Sequence, residues 1–396
     1  TIRANVPGSD KRLPGAYVLI RHYSRIFAPD NQSGALFIDG EDGPTIFRFF
    51  DNVNAGDLKK EAEWLENIEE AGRLLDIDIH TKSATYHRKN LRKCLVCDDL
   101  AVNCIRAQRH DPDDILRKYQ EIFDDKFTTL LQEMIDTSIM SELDLDPKFG
   151  LVTPTSKGSH SDMDYAIMLR AKDAIIPYFT KMFIVAMRTK DEKAVFPEMR
   201  KLGLEAEEAM LKATGGINAY KGLIFSLGII IAASAMELGG SGKFDNIFVK
   251  AADLVKEISK ELASGKDTYG KIAFQEYGFS GARGEAEKGF PHVREALALL
   301  DEKDIDEEKL FQILVYLIAN CDDTVFLKRS KSMENYLEYK KCFRQVTDFS
   351  HESIQKLTDY CIMHNLSFGG SADLLVIVAF LDKFRKSFHF DIPADK

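Results

Sequence analysis

The stretch ATGGINAYKG at residues 213–222 carries residue types suited to binding phosphate. Gly215 and Gly216 can turn the chain and expose backbone N–H groups. The apolar segment that follows predicts a helix whose positive end attracts anions, and Asn218 and Lys221 add a polar group and a full charge. The alternative is structural, in which Gly215 only ends the preceding helix. For one such stretch in isolation, the structural interpretation is the better one.

A second glycine-bearing turn, Gly369-Gly370-Ser371, precedes another apolar segment, LLVIVAFL. This segment predicts a buried helix with Ser371 as its N-cap and Asp373 in its first turn. Two such turns in one region favour phosphate binding over simple helix termination.

Asp322 and Asp323 follow an apolar segment that predicts a helix. The C-terminal end of a helix disfavours carboxylates, and a bound Mg²⁺ would reverse that effect. The alternative is a pair of salt bridges to Lys328 and Arg329. The metal interpretation is slightly favoured.

Other charged residues could serve phosphate or acid–base chemistry. In GARGEAE, Arg283 offers a guanidinium for phosphate and Glu285 a carboxylate, although a structural ion pair explains either one equally well. Glu205 shares a helical face with other glutamates, which is usually a solvated surface. Ser161 and Asp164 resemble a capping box, a structural feature, although acids beside a Gly-Ser turn can also bind a metal–nucleotide.

Near the start of the chain, GRLLDIDI at 72–79 alternates like a β-strand. Asp76 and Asp78 would point to the same face and repel each other unless a cation bridges them. A Mg²⁺ site for polyphosphate chemistry is predicted there, with Lys11 and Arg73 binding the phosphates. An exposed polar strand face is the alternative.

Cys94, Cys97, Cys104 and His110 have a spacing compatible with zinc. Only the first two cysteines are tightly spaced, and a lone CxxC near a histidine often belongs to reduced, buried thiols. We favour the reduced thiols over zinc at this stage.

The composition limits the class of protein. The chain has 396 residues, 45% of them hydrophobic, and a net charge of −10, which argues against a broad nucleic-acid-binding surface. Its 53 Lys and Arg residues still allow a local basic pocket. The six unevenly placed cysteines fit a reducing compartment. The longest apolar run, 223–236, is too short to span a bilayer, and the first residues lack a signal core, so we predict a soluble cytoplasmic protein.

Two regions of different character position these residues. Up to residue 110 the pattern is mixed: a hairpin from 34–39 and 45–50, an amphipathic helix over 56–72, and a strand over 74–80. From the N-cap Asp111 onward, nearly every segment has a 3.6-residue apolar period. The predicted helices after Asp111 include 162–188, 203–213, 219–238, 244–263, 290–300, 306–321, 350–364 and 371–388. We therefore predict a small α+β N-terminal domain (1–120) followed by a larger all-α domain (121–396).

Five glycine-bearing stretches interrupt the helices of the second region: 147–165, 203–222, 277–291, 320–329 and 365–375. In their order and residues they resemble the triphosphoribosyl-dephospho-coenzyme A synthase family, with PKFGLV and GSHSDMD, ATGGINAYKGLIFSLG, YGFSGARGEAEKGF, DDT and NLSFGGSADLL. Local departures are Phe149, Ala219-Tyr220, Val325 and Phe368, and Tyr220 replaces a histidine of the family pattern.

The resemblance implies that ATP donates its triphosphoribosyl group to the 2′-hydroxyl of 3′-dephospho-coenzyme A, with adenine leaving. The transition state would resemble an oxocarbenium ion. Gly215, Gly216, Asn218, Lys221, Arg283, Gly369, Gly370 and Ser371 would then hold phosphates with Mg²⁺. Glu205 and Glu285 are the predicted catalytic carboxylates.

Residues 1–118 resemble the apo-citrate lyase phosphoribosyl-dephospho-coenzyme A transferase family, through NVPGSDK, GRLLDIDI and RKCLVC with a later Cys, Arg and His. The implied reaction is attack of a carrier-protein serine on the α-phosphate, with pyrophosphate leaving. Asp78 is the predicted catalytic residue. The family's N-terminal helix and an initiating Met are absent, so we expect a trimmed chain, for which the resemblance does not imply full transferase activity.

Together the resemblances predict a bifunctional enzyme that makes and attaches the citrate lyase prosthetic group. Its partner would be the acyl carrier subunit of citrate lyase, and nucleotides its small-molecule ligands. Two alternatives stay open: the N-terminal domain is only a docking module for the carrier, or the carrier is that of malonate decarboxylase.

Overall fold

The structure is a computed structural model that describes residues 1–27, 32–88, 90–256, 258, 260, 269–300 and 305–394. These residues form two compact units. Unit 1 consists of 1–130, 235–244 and 384–394, and unit 2 of 131–234 and 245–383. The mixed α+β character of the first region and the helical character of the second confirm the predicted fold class.

Unit 1 is built on a four-stranded antiparallel sheet in the order β2-β3-β1-β4. Its strands are β1 Ile2–Ala4, β2 Gln32–Gly40, β3 Gly43–Phe50 and β4 Leu75–Ile77, and β5 Ile79–His80 pairs with β6 Thr85–Tyr86 in a small second sheet. The hairpin predicted from two β-favouring runs is confirmed. Its two-residue turn pairs Gly40 with Gly43, which takes a φ of +90°.

The helix Pro14–Ile26 packs on this sheet and supplies much of the unit 1 core. Its Arg21 is fully buried. The guanidinium donates to the carbonyl oxygens of Ser241 and His389, at 3.1 and 3.3 Å. Unit 1 is therefore discontinuous in sequence, and the boundary at residue 120 stays a prediction.

The other regular elements of the described chain are helices joined by turns and loops, and the described part of unit 2 contains no strand. In unit 1 they are Pro14–Ile26, Ala55–Ile68, Ala101–Ala107 and the 3₁₀ helix Glu70–Leu74. From residue 112 they are Pro112–Leu143, Tyr165–Arg188, Glu192–Thr214, Lys221–Leu238, Asn246–Leu254, Tyr269–Tyr277, Gly281–Glu287, Pro291–Leu297, Glu307–Asn320, Thr324–Ser330, Met333–Arg344, His351–Met363 and Gly369–Ser387. The N-cap at Asp111 is confirmed by its bond from the amide of Asp113, at 2.9 Å.

Several predicted boundaries were wrong, each for a local reason. The helix predicted over 56–72 ends at Ile68, because Glu69 is extended and its carboxylate binds Lys126 at 2.8 Å. The strand predicted over 74–80 breaks at Asp78 into β4 and β5, which belong to different sheets. The cap predicted at Ser161 is instead Asp164, which accepts from the amide of Ile167.

Two further helix predictions differ from the structure in extent. The helix predicted over 203–213 begins earlier, at Glu192, and Asp191 is its N-cap. The helix predicted over 244–263 is observed as Asn246–Leu254, and residues 257, 259 and 261–263 of that prediction lie outside the described residues.

The apolar helix Lys221–Leu238 has 18 residues, long and apolar enough to cross a membrane, and most of it is buried inside the protein. The pair Glu307–Asn320 and Thr324–Ser330 meets the same criterion only if counted together across a 70° bend. A buried core helix of a globular protein satisfies this test equally.

Candidate active sites

The five glycine-bearing stretches of unit 2 contact one another, and we call this region the loop cluster (147–165, 203–222, 277–291, 320–329 and 365–375). The first and last stretches meet at Gly150, where a Cβ atom would lie 2.5 Å from the carbonyl oxygen of Leu366. His160 Nε2 and Ser367 Oγ lie 2.9 Å apart. The turn 147–165 is therefore fixed against the loop that opens the last long helix.

Arg329 joins a third stretch to these two. Its Nη1 donates to the carbonyl oxygen of Ser159 at 2.9 Å and to Asn365 Oδ1 at 2.6 Å. The salt bridge from Arg329 to Asp322 or Asp323, the alternative to a metal site, is not among its observed contacts.

Asp323 ties the stretch 320–329 to the last stretch from inside. Its Oδ1 accepts from the amides of Val325 and Phe326 at 2.9 and 3.0 Å, as the N-cap of Thr324–Ser330. Its Oδ2 accepts from the amide and hydroxyl of Ser371, at 2.9 and 3.1 Å. Ser371 is not the predicted N-cap, because that helix already begins at Gly369.

These contacts correct the argument for a misplaced Asp323. The carboxylate caps the start of the next helix, where the dipole favours it. Burial still raises the pKa of Asp323, and its hydrogen bonds oppose that shift. Four donors already occupy its two oxygens, so Asp323 fits a metal poorly. Asp322 is exposed and stays a predicted Mg²⁺ ligand.

The remaining two stretches complete the loop cluster. A Cβ atom on Gly222 would overlap Oδ2 of Asp373, and one on Gly281 would lie 3.1 Å from Cγ2 of Thr324. A Cβ atom on Gly370 would lie 3.0 Å from the carboxyl carbon of Asp323. The five stretches, which lie up to about 200 residues apart along the chain, are thus linked by direct contacts.

The turn at Gly215 and Gly216 is built differently from the prediction. Gly215 is the left-handed C-cap of Glu192–Thr214, and the amides of both glycines donate to the carbonyl oxygen of Leu211. These N–H groups are therefore not exposed to a ligand, which favours the structural interpretation of the turn. Asn218 Oδ1 accepts from the amide of Lys221 at 3.2 Å, at the start of the next helix.

Asp373 is the residue of the loop cluster that sequence reasoning missed as a functional group. It is half-buried, and no hydrogen-bond or ion-pair partner for it occurs in the described part of the chain. Burial, with the nearby charges of Asp323 and Glu142, raises its pKa well above the ordinary value. The sequence ADLL places this carboxyl among apolar residues, which could have indicated a buried acid. Sequence analysis considered Asp373 only as a first-turn residue that favours the helix dipole.

Glu285 forms a defined pair with His292. Its Oε2 lies 2.8 Å from His292 Nδ1, and its Oε1 accepts from the amide of His292 at 2.9 Å. Glu285 is buried, and its hydrogen bond raises the pKa of His292, against the effect of burial.

The other predicted ligands of unit 2 differ in how far they are engaged. Arg283 and Glu205 are half-buried, and within the described residues neither has a hydrogen-bond or ion-pair partner. Lys221 is exposed and pairs with Glu207 at 2.6 Å. Arg283 is therefore the cation of this group that is free to bind an anion.

In unit 1, Asp76 and Asp78 share a guanidinium. Nη2 of Arg3 lies 3.6 Å from Asp76 Oδ2 and 3.2 Å from Asp78 Oδ2, and Arg92 pairs with Asp76 at 2.6 Å. Arginine relieves the repulsion on which the Mg²⁺ assignment rests. Mg²⁺ at these carboxylates stays a prediction.

Lys11 and Arg73 line a large basic pocket of unit 1, with a volume of about 1210 Å³. The other cationic side chains of its wall are Arg88, Arg92, Lys93 and Arg109, against one carboxylate, Asp111. Arg73, Arg88, Arg92 and Arg109 pair with carboxylates outside this wall, which leaves Lys11 and Lys93 as its cations without an ion pair in the described chain. These two lysines favour an anionic ligand. Asp78 lines a separate cavity of about 280 Å³.

Cys94, Cys97, Cys104 and His110 come together at the wall of the basic pocket. Cys97 Sγ lies 3.4 Å from Cys104 Sγ and 3.3 Å from His110 Nε2. Hydrogen bonds from the Asp99 backbone, His110 and Cys104 lower the pKa of the Cys97 thiol to about 6. Each side chain offers one potential ligand atom, and all four atoms lie within 4.8 Å of one another.

Comparison with family models matches both regions. Residues 128–391 match the family described as ATP:dephospho-CoA triphosphoribosyl transferase. Residues 1–126 match the family described as apo-citrate lyase phosphoribosyl-dephospho-CoA transferase.

Relatives match over most of the chain. Proteins named CitXG from Haemophilus influenzae and Leuconostoc mesenteroides subsp. cremoris are 31% and 30% identical, over 84% and 96% of this chain and 78% and 90% of their own lengths. A 2-(5''-triphosphoribosyl)-3'-dephosphocoenzyme-A synthase from Haemophilus ducreyi is 31% identical over 72% of this chain and 98% of its own length. No solved structure matched the chain.

Proposed function

We infer the function from one premise: this chain belongs to the ATP:dephospho-CoA triphosphoribosyl transferase family and carries an apo-citrate lyase phosphoribosyl-dephospho-CoA transferase region before it. It is a transferase. Unit 2 converts ATP and 3′-dephospho-CoA into 2′-(5″-triphosphoribosyl)-3′-dephospho-CoA and adenine. The bond between ribose C1′ and adenine N9 breaks, and a bond from C1′ to the 2′-oxygen of dephospho-CoA forms.

The convergence of five separate stretches in the loop cluster carries this proposal. A reaction that holds a triphosphate, a ribose and an acceptor hydroxyl needs groups from several elements around one point. If the five stretches were distant from one another, each would be interpreted as an ordinary helix end.

Asp373 has the properties of a general acid for the leaving adenine. Its raised pKa keeps the carboxyl protonated closer to neutral pH, and a protonated acid can donate to the base as the glycosidic bond breaks. No side chain of the described residues competes for that proton, since Asp373 has no partner there.

Glu285 is proposed to act as an ionised carboxylate, in contrast to the protonated acid Asp373. Its hydrogen bond raises the pKa of His292 and favours an imidazolium beside a carboxylate. A carboxylate stabilises a positive ribosyl centre and can receive the proton of the 2′-hydroxyl. Glu205, half-buried and without a partner in the described chain, is the alternative base.

Arg283 is the main phosphate ligand in this proposal, because it is half-buried in the same helix as Glu285 and has no partner in the described chain. A planar guanidinium can bind two phosphate oxygens at once. Lys221 and the groups near Gly369 and Gly370 lie within the same loop cluster. Bound Mg²⁺ would neutralise triphosphate oxygens, and Asp322 is the carboxylate available to hold it.

Unit 1 attaches the product to the acyl carrier subunit of citrate lyase. A serine hydroxyl of the carrier attacks the α-phosphorus. The bond from the α-phosphorus to the oxygen that bridges to the β-phosphate breaks, and pyrophosphate leaves. The basic pocket supports this proposal, because Lys11 and Lys93 line it without an ion-pair partner in the described chain, and four arginines add positive charge around them.

One assay tests the first reaction. Purified protein is mixed with ATP, Mg²⁺ and dephospho-CoA, and the products are separated. We expect free adenine in an amount equal to the new CoA derivative. Release of ADP or phosphate in place of adenine would show a kinase or hydrolase and end the synthase proposal.

A second assay tests attachment. Asp78→Asn should abolish modification of the carrier while adenine release continues, because Asp78 belongs to unit 1. Continued modification by Asp78→Asn would contradict its catalytic role and leave the docking alternative. Citrate lyase and malonate decarboxylase carriers tested side by side should show modification of the former.

A further inference from the structure

We propose that Cys94, Cys97, Cys104 and His110 bind one Zn²⁺ in a closed, structural site that holds a wall of the basic pocket. The proposal is independent of which reaction the pocket carries out. It replaces the sequence-based preference for reduced thiols.

The arrangement of the potential ligand atoms is close to that of a tetrahedral zinc site. Zinc bonds of about 2.3 Å to sulfur and about 2.0 Å to nitrogen place neighbouring ligand atoms roughly 3.5–3.8 Å apart. The two separations around Cys97, 3.4 Å to Cys104 Sγ and 3.3 Å to His110 Nε2, lie just below this range, and no separation within the set exceeds 4.8 Å. Shifts of about an ångström would close the shell around an ion.

The thiols are not joined to one another. All six cysteines of the chain are free, and 3.4 Å between Cys97 and Cys104 is far longer than a disulfide bond of about 2.05 Å. Three sulfurs and a ring nitrogen with no covalent bond among them are the donors that zinc prefers.

The segment 91–110, all of which the structure describes, lacks a hydrophobic core of its own. Its only buried residues are Cys94 and Cys104, two of the proposed ligands. Its large apolar side chains Leu91, Val96 and Ile105 are 66%, 40% and 72% exposed. A short segment that buries so little apolar surface needs another source of stability, and a metal supplies it.

Backbone and side-chain bonds already organise the segment around the four groups. The amide of Cys94 donates to the carbonyl oxygen of Asp99 at 2.8 Å, and the amide of Val96 donates to Cys94 Sγ at 3.4 Å. The carboxylate of Asp99 accepts from Arg109 Nη1 at 2.7 Å, next to His110. Such surrounding bonds orient the ligands of metal sites.

The site also positions the cations of the pocket. Arg73 Nη2 donates to the carbonyl oxygen of Cys94 at 2.7 Å, and Arg109 adjoins the ligand His110. Arg73 and Arg109 both line the pocket. Four protein ligands leave no open position, so the ion would hold these residues without touching substrate.

Metal analysis of the full-length protein, purified without a polyhistidine tag, tests the proposal. We expect about one zinc per chain by plasma mass spectrometry. Cys97→Ser and His110→Ala should each lose most of it, whereas Cys342→Ser, an exposed cysteine outside the set, should keep it. Cobalt exchanged into the wild type should give thiolate charge-transfer absorption and the visible bands of tetrahedral Co²⁺.

Three results would overturn the proposal: wild-type protein without zinc, zinc retained equally by Cys97→Ser and Cys342→Ser, or stoichiometric iron in its place. Thiol counting keeps the test valid if a variant unfolds. In native wild type, Cys94, Cys97 and Cys104 should react with a thiol reagent only after a chelator is added. Reaction at the same rate without the chelator would also contradict the site.

Discussion

Gly222 leaves the space that the carboxylate of Asp373 occupies, because a Cβ atom at residue 222 would overlap Asp373 Oδ2. The two residues belong to stretches about 150 positions apart in the chain, and both begin long apolar helices. The absence of a side chain at Gly222 therefore makes room for the proposed acid, Asp373.

Gly222→Ala should displace that carboxylate and slow adenine release by about 10- to 100-fold, since small displacements of reacting groups have effects of this size. The free energy of unfolding should change by no more than about 1 kcal/mol, because alanine favours the helix while the overlap opposes it. Rates of adenine release and urea unfolding measure the two effects.

Gly40→Ala is the matched control, since its added carbon meets no atom within 4 Å. It should leave adenine release unchanged. Equal rates in Gly222→Ala and wild type would remove the argument that this contact places the acid.

Asp373→Asn should lower the rate of adenine release by roughly 10²- to 10⁴-fold, the usual contribution of a positioned acid. It should also change the pH dependence of stability. Because the folded protein raises the pKa of Asp373, its favourable protonated form is present at low pH. That contribution is lost as pH rises from about 4, the unfolded value, through the folded pKa.

The stability gained by Asp373→Asn over wild type should therefore be larger at about pH 8 than at about pH 5. Unfolding midpoints in urea at the two pH values measure it. Asp253→Asn, which changes an exposed carboxylate of unit 2, should show no such difference. A gain for Asp373→Asn that shrinks toward high pH would have the wrong sign for a raised pKa.

Glu285→Gln should lower the pKa of His292, because the hydrogen bond to Glu285 is the largest cause of its raised value. The pair stabilises the fold fully below about pH 6.5, the unfolded value, and this is lost as pH rises through the folded pKa. The variant should thus lose more stability at about pH 5.5 than at about pH 9.

Histidine proton resonances, with His292→Ala used to identify the signal, give the pKa directly. Glu308→Gln, whose carboxylate is exposed and bonds only Gln312 in the described structure, is the control and should leave the His292 titration in place. If Glu285→Gln left the pKa of His292 unchanged, a group other than Glu285 would be responsible for raising it.

Arg283→Ala should raise KM for ATP by about 10- to 100-fold, the value of one or two charge-assisted hydrogen bonds to phosphate. Its unfolding free energy should stay within about 0.5 kcal/mol of wild type, since the side chain has no partner among the described residues. Arg283→Lys should be intermediate. Arg117→Ala, which removes an exposed cation of unit 1, should leave KM unchanged, and an equal rise there would point to general electrostatics.

Local signals in the sequence predicted the fold well where a feature depends on near neighbours. Asp111 before Pro112 placed the start of a long helix, and GEDG placed a hairpin. Gly215 was assigned to phosphate binding with a helix end as the alternative, and the structure shows it as the C-cap of Glu192–Thr214. Caps, turns and apolar periods are set within a few residues, so they can be recognised without the tertiary structure.

The roles of Asp323 and Asp373 depend on residues far away in the chain. Asp323 bonds Ser371 across 48 positions, and the space for Asp373 is left by Gly222. No spacing rule connects such positions. Asp323, which caps one helix and bonds the first turn of another, therefore looked in the sequence like a carboxylate misplaced at a helix C-terminus. The strand break at Asp78 was hidden for the same reason, because Asp78 bonds Thr1 and Arg3, and Arg3 lies 75 positions away.

The burial of Arg21 has a consequence for how the protein is made. Its carbonyl acceptors include Ser241 and His389, so the first helix must wait for chain synthesised much later. At about 5–20 residues per second, a ribosome needs on the order of 20–80 seconds to reach them. A gene cut between the two family regions would yield an N-terminal piece with a guanidinium facing an unfilled gap, prone to aggregation and chaperone capture.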